Sequence, residues 1–436
     1  MAGSALLSCL AAPDLAQEPA EQRGELERML GEYFAQPNPD DERVRQIGAL
    51  AAGQEDLLTD VLRSKSFVSE AGAVARRGAI DQEYRFQDQD PEVDAGPNPS
   101  FFHGPATESG LAPLAVFVPD TIRSSDFERM VAEEGVERGW FVLLVPDQDR
   151  KNEWNPTLDE HRRHTGPLRD LLLGHRIDPD RVFLVGTGRG GHATWDVGLL
   201  HAHRFAGLFP CNGGLLHEGG YALSGGVFLE NARGLVIRTV YNTSFDHGIE
   251  GCRVAAEAFD KWGYDFAAEE EPRMRHMGLA EATAPFEAVR REPHPAEIVK
   301  RFNWLETGRH VWLEALERTP GEWDPTAEIQ IKGRWPKEPF EQRQRLWEYV
   351  KTQCAFLEGS IKGNRVKITA EGIGRLRVWF DPELVDYGRP VSVSINRKSR
   401  GRLRLERSPE TLLREVHRTG DTARLYWAFR DFDVPD

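Results

Sequence analysis

Cysteine is scarce, with Cys9, Cys211, Cys252 and Cys354 the only four in 436 residues. Their spacing fits neither a metal-ligand pattern nor a disulfide framework, so a packed core must hold the fold. Cys211 follows one expected core strand and Cys252 opens a later helix, which leaves a contact between them open. Two isolated buried thiols is the simpler reading. No apolar run reaches the length of a membrane span. Positive charge is also in deficit, since 55 Lys and Arg against 70 Asp and Glu leave a net charge of −15. That balance argues against general nucleic-acid binding. The thirteen histidines are scattered, with His192, His201 and His203 expected on helix surface and no zinc site expected. Apolar residues, at 40%, suffice for a large core and more than one domain in a chain of this length.

The most informative stretch is 181–195, Arg-Val-Phe-Leu-Val-Gly-Thr-Gly-Arg-Gly-Gly-His-Ala-Thr-Trp. Its β-branched and aromatic run at 182–185 reads as a buried parallel strand. Glycines 186, 188, 190 and 191 follow, then a helix with Ala193, Val197 and Leu200 on one face. Strand, tight turn and helix are the geometry of a nucleophile elbow, G-x-S-x-G, in which serine stands at the apex. The apex residue is Gly188, which has no nucleophile. The same glycines satisfy G-x-G-x-x-G, a weak signal for a dinucleotide site. Such a site wants an acidic residue after the next strand, and 205–209 runs into Pro210-Cys211-Asn212-Gly213.

Residues 177–214 resemble the elbow region of bacterial esterases in the polyhydroxybutyrate-depolymerase, feruloyl-esterase and prolyl-oligopeptidase-like branch of the α/β-hydrolases. The resemblance is carried by Asp-Pro-Asp-Arg at 178–181, Gly190-Gly191, Ala-Thr-Trp-Asp at 193–196 and Arg-Phe-Ala-Gly at 204–207. It implies an α/β-hydrolase fold and a triad in the order nucleophile, acid, histidine. The implied acid is Asp246, although the His-Gly that precedes it in relatives is replaced by Asn242-Thr243. A solvated loop aspartate or a helix N-cap reads the same residue equally well. The implied base is His276, in a loop with two arginines where relatives carry glycines; a surface histidine is the alternative. The oxyanion donors implied are the backbone N–H of Arg189 and one near Asp120 and Thr121. Backbone donors survive loss of the serine. Thr187, Cys211 and Ser244 are not placed to replace it.

Along the chain, residues 1–20 carry an apolar start without a positive n-region, either a remnant of a signal peptide or a frayed terminus. Secreted or periplasmic placement is favoured over cytoplasmic. Residues 21–100 read as a helical module and linker, with Leu26, Leu30, Tyr33 and Phe34 sharing one face. Residues 101–290 alternate strand and helix, which predicts a doubly wound, mostly parallel sheet. Ser125 to Glu128 form a capping box within it. Residues 291–361 read as a connecting segment. In 362–436 the period changes to two, predicting a small antiparallel β domain. Its second half offers a basic stripe, Arg397, Lys398, Arg400, Arg402 and Arg404, for an anionic surface. Positive charge that blocks pairing of a sheet edge explains the same stripe.

Together these features predict an α/β-hydrolase-fold protein whose hydrolytic centre is dismantled, with a binding or scaffolding role. An active carboxylesterase or peptidase with an atypical nucleophile is the alternative, and a dinucleotide-binding oxidoreductase a third. No cofactor, metal or nucleic acid is expected, and the ligand, small molecule or polymer, is open.

Overall fold

Eight strands form the central sheet: β1 (Gln82–Tyr84), β2 (Ser100–His103), β3 (Ala112–Val118), β4 (Phe141–Leu144), β5 (Ile177–Thr187), β6 (Gly207–Cys211), β7 (Val236–Asn242) and β8 (Asp265–Glu271). Their spatial order is β1-β2-β4-β3-β5-β6-β7-β8. Only β2 runs against its neighbours; every pair from β4 to β8 is parallel. The structure, a computed structural model, describes residues 17–38, 40–68, 82–84, 100–105, 110–119, 133–135, 137–145, 157–215, 225–242, 246–271, 279–323 and 333–434. The expected signal remnant up to residue 16, most of the linker and the capping box at 125–128 lie outside them.

The strands are apolar throughout because both sheet faces are covered. Leu114, Val116 and Val118 of β3 join one buried cluster, while Ala115 and Phe117 join another on the opposite face. The first face packs on Trp195, Val197 and Leu199, the second on Ala282 and Phe286. The doubly wound, mostly parallel sheet is as the strand–helix alternation predicts.

The N-terminal helices α1 (Gln17–Phe34), α2 (Asp41–Leu50) and α3 (Glu55–Ser64) present the expected apolar residues inward. They close a separate core with Leu173 and with Leu412, Leu413 and Val416 of a helix at Pro409–Thr419. That helix is absent from the β reading of the C-terminal region. Its signal is local: Ser408 caps it by accepting from Thr411 N at 3.1 Å, and Pro409 takes the first turn.

The C-terminal strands form two sheets, β16-β15-β13-β12-β9 and β10-β11-β14-β17, in which β10 is Arg309–His310 and β17 is Ala428–Asp433. The connecting segment thus supplies strands: β9 (Glu297–Phe302) pairs with β12 (Ala355–Lys362), and β11 (Leu313–Arg318) pairs with β14 (Ile373–Phe380). All pairs are antiparallel except β13 (Arg365–Glu371) with β15 (Val391–Ile395). The basic stripe lies on and around β16 (Lys398–Leu403), the edge strand, with Arg397, Lys398, Arg402 and Arg404 exposed. An exposed strand edge carrying such charge resists pairing with another chain.

Two expectations on histidine fail. His201 is buried, and His203 turns inward through the short turn at Ala202–Arg204 that ends the preceding helix. Burial holds both imidazoles far below their usual pKa, so they are neutral in the fold.

Lys65 ends α3 in left-handed backbone (φ 52°) and is fully buried, donating to the carbonyl oxygen of Leu172 at 2.5 Å. Burial brings its ammonium down to about 7. Between pH 7 and its ordinary value of 10.5 the unfolded chain holds a proton that the folded chain lacks. Stability from this group therefore rises with pH across that window, by about 1.4 kcal/mol per pH unit. Chemical denaturation at several pH values checks this, and Lys65→Met is expected to flatten the slope.

Candidate functional site

β5 ends at Thr187 and the next helix begins at Arg189, leaving a single residue to reverse the chain. That residue is Gly188, at φ 56° and ψ −115°, a conformation L side chains strongly resist. Its N–H donates to the carbonyl oxygen of Cys211 at 2.9 Å, which ties the apex to the end of β6. Its carbonyl accepts from Gly191 N at 3.0 Å and starts the helix Arg189–Leu200.

The remaining glycines explain how strand and helix come so close. A Cβ on Gly186 would overlap the carbonyl of Gly190, and one on Gly190 would overlap the carbonyl oxygen of Val118 in β3. A Cβ on Gly191 would lie 2.6 Å from the Cys211 oxygen and 2.8 Å from the Cα of Gly213. The helix is thus wedged against β3, β5 and β6 at their carboxyl ends. Chain order reverses direction across the sheet between β3 and β5, and ligands of open parallel sheets bind outside such a switch point.

Sheet and elbow together are an α/β-hydrolase fold. No family model matches the chain, and no curated protein matches it either. Solved structures do. The acetyl ester-xyloside bifunctional hydrolase of Caldicellulosiruptor lactoaceticus matches 49% of this chain and 92% of its own, at 17% identity and a TM-score of 0.38. A puromycin-hydrolyzing peptidase of Mycobacterium tuberculosis matches 44% of this chain and 37% of its own, at 14% identity and a TM-score of 0.35. A thermostable esterase matches 42% and 54%, at 20% identity and a TM-score of 0.31. The assignment of the fold rests on the sheet and the elbow.

Around the turn, His192 Nδ1 lies 2.7 Å from the carbonyl oxygen of Gly214 and 3.1 Å from its nitrogen. Trp195 Nε1 donates to the carbonyl of Gly213 at 3.3 Å. Arg189 follows the apex as the first helical residue, so its backbone N–H belongs to the helix start. Asp246 opens the helix Asp246–Trp262 after β7, at the same edge of the sheet as Gly188. Thr121 and His276 lie outside the described residues, as do Asp120 and Ser244.

Cys211 is buried, within a cluster that includes Phe183, Val185, Phe209 and Val240. Cys252 is also buried, and that burial pushes its thiol up to about 12. Neither is a presented nucleophile.

The close approach at residue 190 sets a measurable limit. Gly190→Ala is expected to lose about 3 kcal/mol or more, because the clash is with backbone that cannot move aside. Gly24→Ala, in open space within α1, is expected to gain about 0.5–1 kcal/mol. Urea denaturation of the two variants makes the comparison.

Proposed function

We propose that this chain is a hydrolase-fold protein that does not form an acyl-enzyme and works by binding. The observation that carries the reading is Gly188 at the apex of the turn, where φ 56° and ψ −115° hold the strained backbone but no oxygen is attached. In that reading Gly188 occupies the nucleophile position, Asp246 and His276 the acid and base positions, and Arg189 and Thr121 the oxyanion positions. Without the nucleophile, the remaining donors retain only a small part of the usual rate enhancement.

The alternative of a substitute nucleophile finds little support. Thr187 pairs in register with Cys211 as the last residue of its strand, and Cys211 is buried in the core. The dinucleotide reading is weakened because Gly186, Gly190 and Gly191 are each occupied by a backbone contact. A packing role accounts for them without a pyrophosphate.

A fluorophosphonate probe tests the proposal. The wild-type chain is expected to remain unlabelled and to hydrolyse p-nitrophenyl acetate no faster than buffer. Stoichiometric labelling at one residue overturns the reading. Gly188→Ser is expected to destabilise the fold by about 1–3 kcal/mol, the strain of a side chain in that backbone conformation. Thermal and urea unfolding of that variant measure it.

A further inference from the structure

A cavity of about 470 Å³ lies between the central sheet and the C-terminal sheets, within the size range of small-molecule pockets. It is at the other end of the strands from the elbow. Val182 comes from the early part of β5, and His201, His203 and Arg204 precede β6. Its lining includes the apolar residues Leu168, Leu172, Val182, Leu305, Val311 and Ala315. It also includes five arginines, Arg204, Arg291, Arg309, Arg418 and Arg424.

The acids near these arginines are already engaged. Arg291 donates to Asp421 Oδ2 at 2.7 Å and to Asp180 Oδ1 at 2.9 Å. Arg418 is paired with Glu314 at 2.8 Å, and Arg309 with Glu415 at 2.5 Å. Glu306, at the mouth, is held by Arg162 at 2.5 Å. Arg424 gives its N–H groups to the carbonyl oxygens of His203 at 2.7 Å and Pro293 at 2.8 Å, and reaches Asp421 only at 3.6 Å. Arg204 donates to the Thr165 carbonyl at 3.1 Å and has no carboxylate in ion-pair range among the described residues.

Arg204 thus faces the cavity without a carboxylate in ion-pair range among the described residues, and Arg424 shares Asp421 with Arg291. Burial and the neighbouring arginines bring Arg204 and Arg424 down to about 10. Neutral polar groups line the same space. His201 is 6% exposed and Tyr426 1% exposed, and His201 Nε2, His203 Nδ1 and the Tyr426 hydroxyl have no hydrogen-bond partner among the described residues. Buried polar groups left unmatched by the protein call for a partner. Arg418, 47% exposed, stands at the entrance.

We propose that this cavity is a binding site for a small organic dianion with an apolar body, recognised by Arg204 and Arg424 and by the hydroxyl of Tyr426. A phosphate monoester and a dicarboxylate share this chemistry, and guanidinium groups bind both through paired N–H donors. The site stands independently of the elbow, since it shares no residue with it.

Isothermal titration calorimetry of the full chain with phenyl phosphate, phthalate and benzyl alcohol tests the site. At least one dianion is expected to bind at one per chain, more weakly as salt rises, while benzyl alcohol does not bind. Arg204→Gln is expected to weaken the dianion about tenfold or more, the loss of a charge-assisted contact. Tyr426→Phe keeps the ring and its packing, and is expected to weaken it about threefold to tenfold. Arg402→Gln, on the exposed edge strand, leaves binding unchanged. Preference for phenyl phosphate or for phthalate assigns the acid class and supports the site either way. Failure of both dianions to bind the wild-type chain overturns the proposal. So does equal binding by benzyl alcohol, or wild-type affinity in folded Arg204→Gln. Should Arg204→Gln not fold, unchanged affinity in Tyr426→Phe overturns it instead.

Discussion

The backbone of the helix Arg189–Leu200 touches the backbones of three strands with no side chain between them. Gly190 lies against the carbonyl of Val118, Gly186 against that of Gly190, and Gly191 against Cys211 and Gly213. Any Cβ at these positions meets peptide atoms held in a parallel sheet, which cannot move without breaking ladder hydrogen bonds. The contact fixes how the helix sits on the sheet, where the switch point opens and how far Gly188 is thrust from the strand end. It also separates two meanings of a glycine cluster. These glycines are required by packing whether or not the turn does chemistry, so their presence is evidence of fold alone.

The same distinction governs what could be read from the sequence. The strands at 182–185 and 205–209 were legible because sheets covered on both faces need unbroken apolar runs. The elbow was legible because glycine spacing reports its close approaches directly. β9 was not. Its Lys300 is buried and donates to the carbonyl of Leu200, so a charged side chain occupies the core-facing position between Ile298 and Phe302 and breaks the apolar alternation. The β domain read from the period of two thus begins at residue 362, although β9, β11 and β12 belong to the same sheets. His201 and His203 misled for a related reason. Helical periodicity put them outside, but the helix ends at Leu200 and a tight turn points both inward.

The cavity residues had no local signature at all. Arg204, Arg291, Arg309 and Arg424 come from four separate segments and meet only when the C-terminal sheets dock on the central one. Arg291 is central to that docking. A single guanidinium binds Asp180 at the head of β5, the His203 carbonyl and Asp421, and Arg424 reaches the same carbonyl from the other side. This crossing of hydrogen bonds joins two parts of the chain that periodicity reads as separate. Each bond is charge-assisted and shielded from water, which makes it stronger than a surface pair and expensive to remove singly.

The two ends of the sheet therefore differ in what explains them. At the elbow, every unusual feature follows from packing, and only the absent oxygen is left over. At the opposite end, packing explains Arg291 but not Arg204, which has no carboxylate in ion-pair range among the described residues, nor Arg424, which shares Asp421 with Arg291. Unmatched buried charge opposes folding by several kcal/mol per ion in real proteins. A fold that departs from local consistency usually does so where function requires it. The elbow is consistent with the fold at every glycine, whereas the arginine cavity is consistent with it only once an anion is supplied. In the reading proposed above, the turn at Gly188 serves as scaffold, and anion recognition falls at the amino ends of the strands.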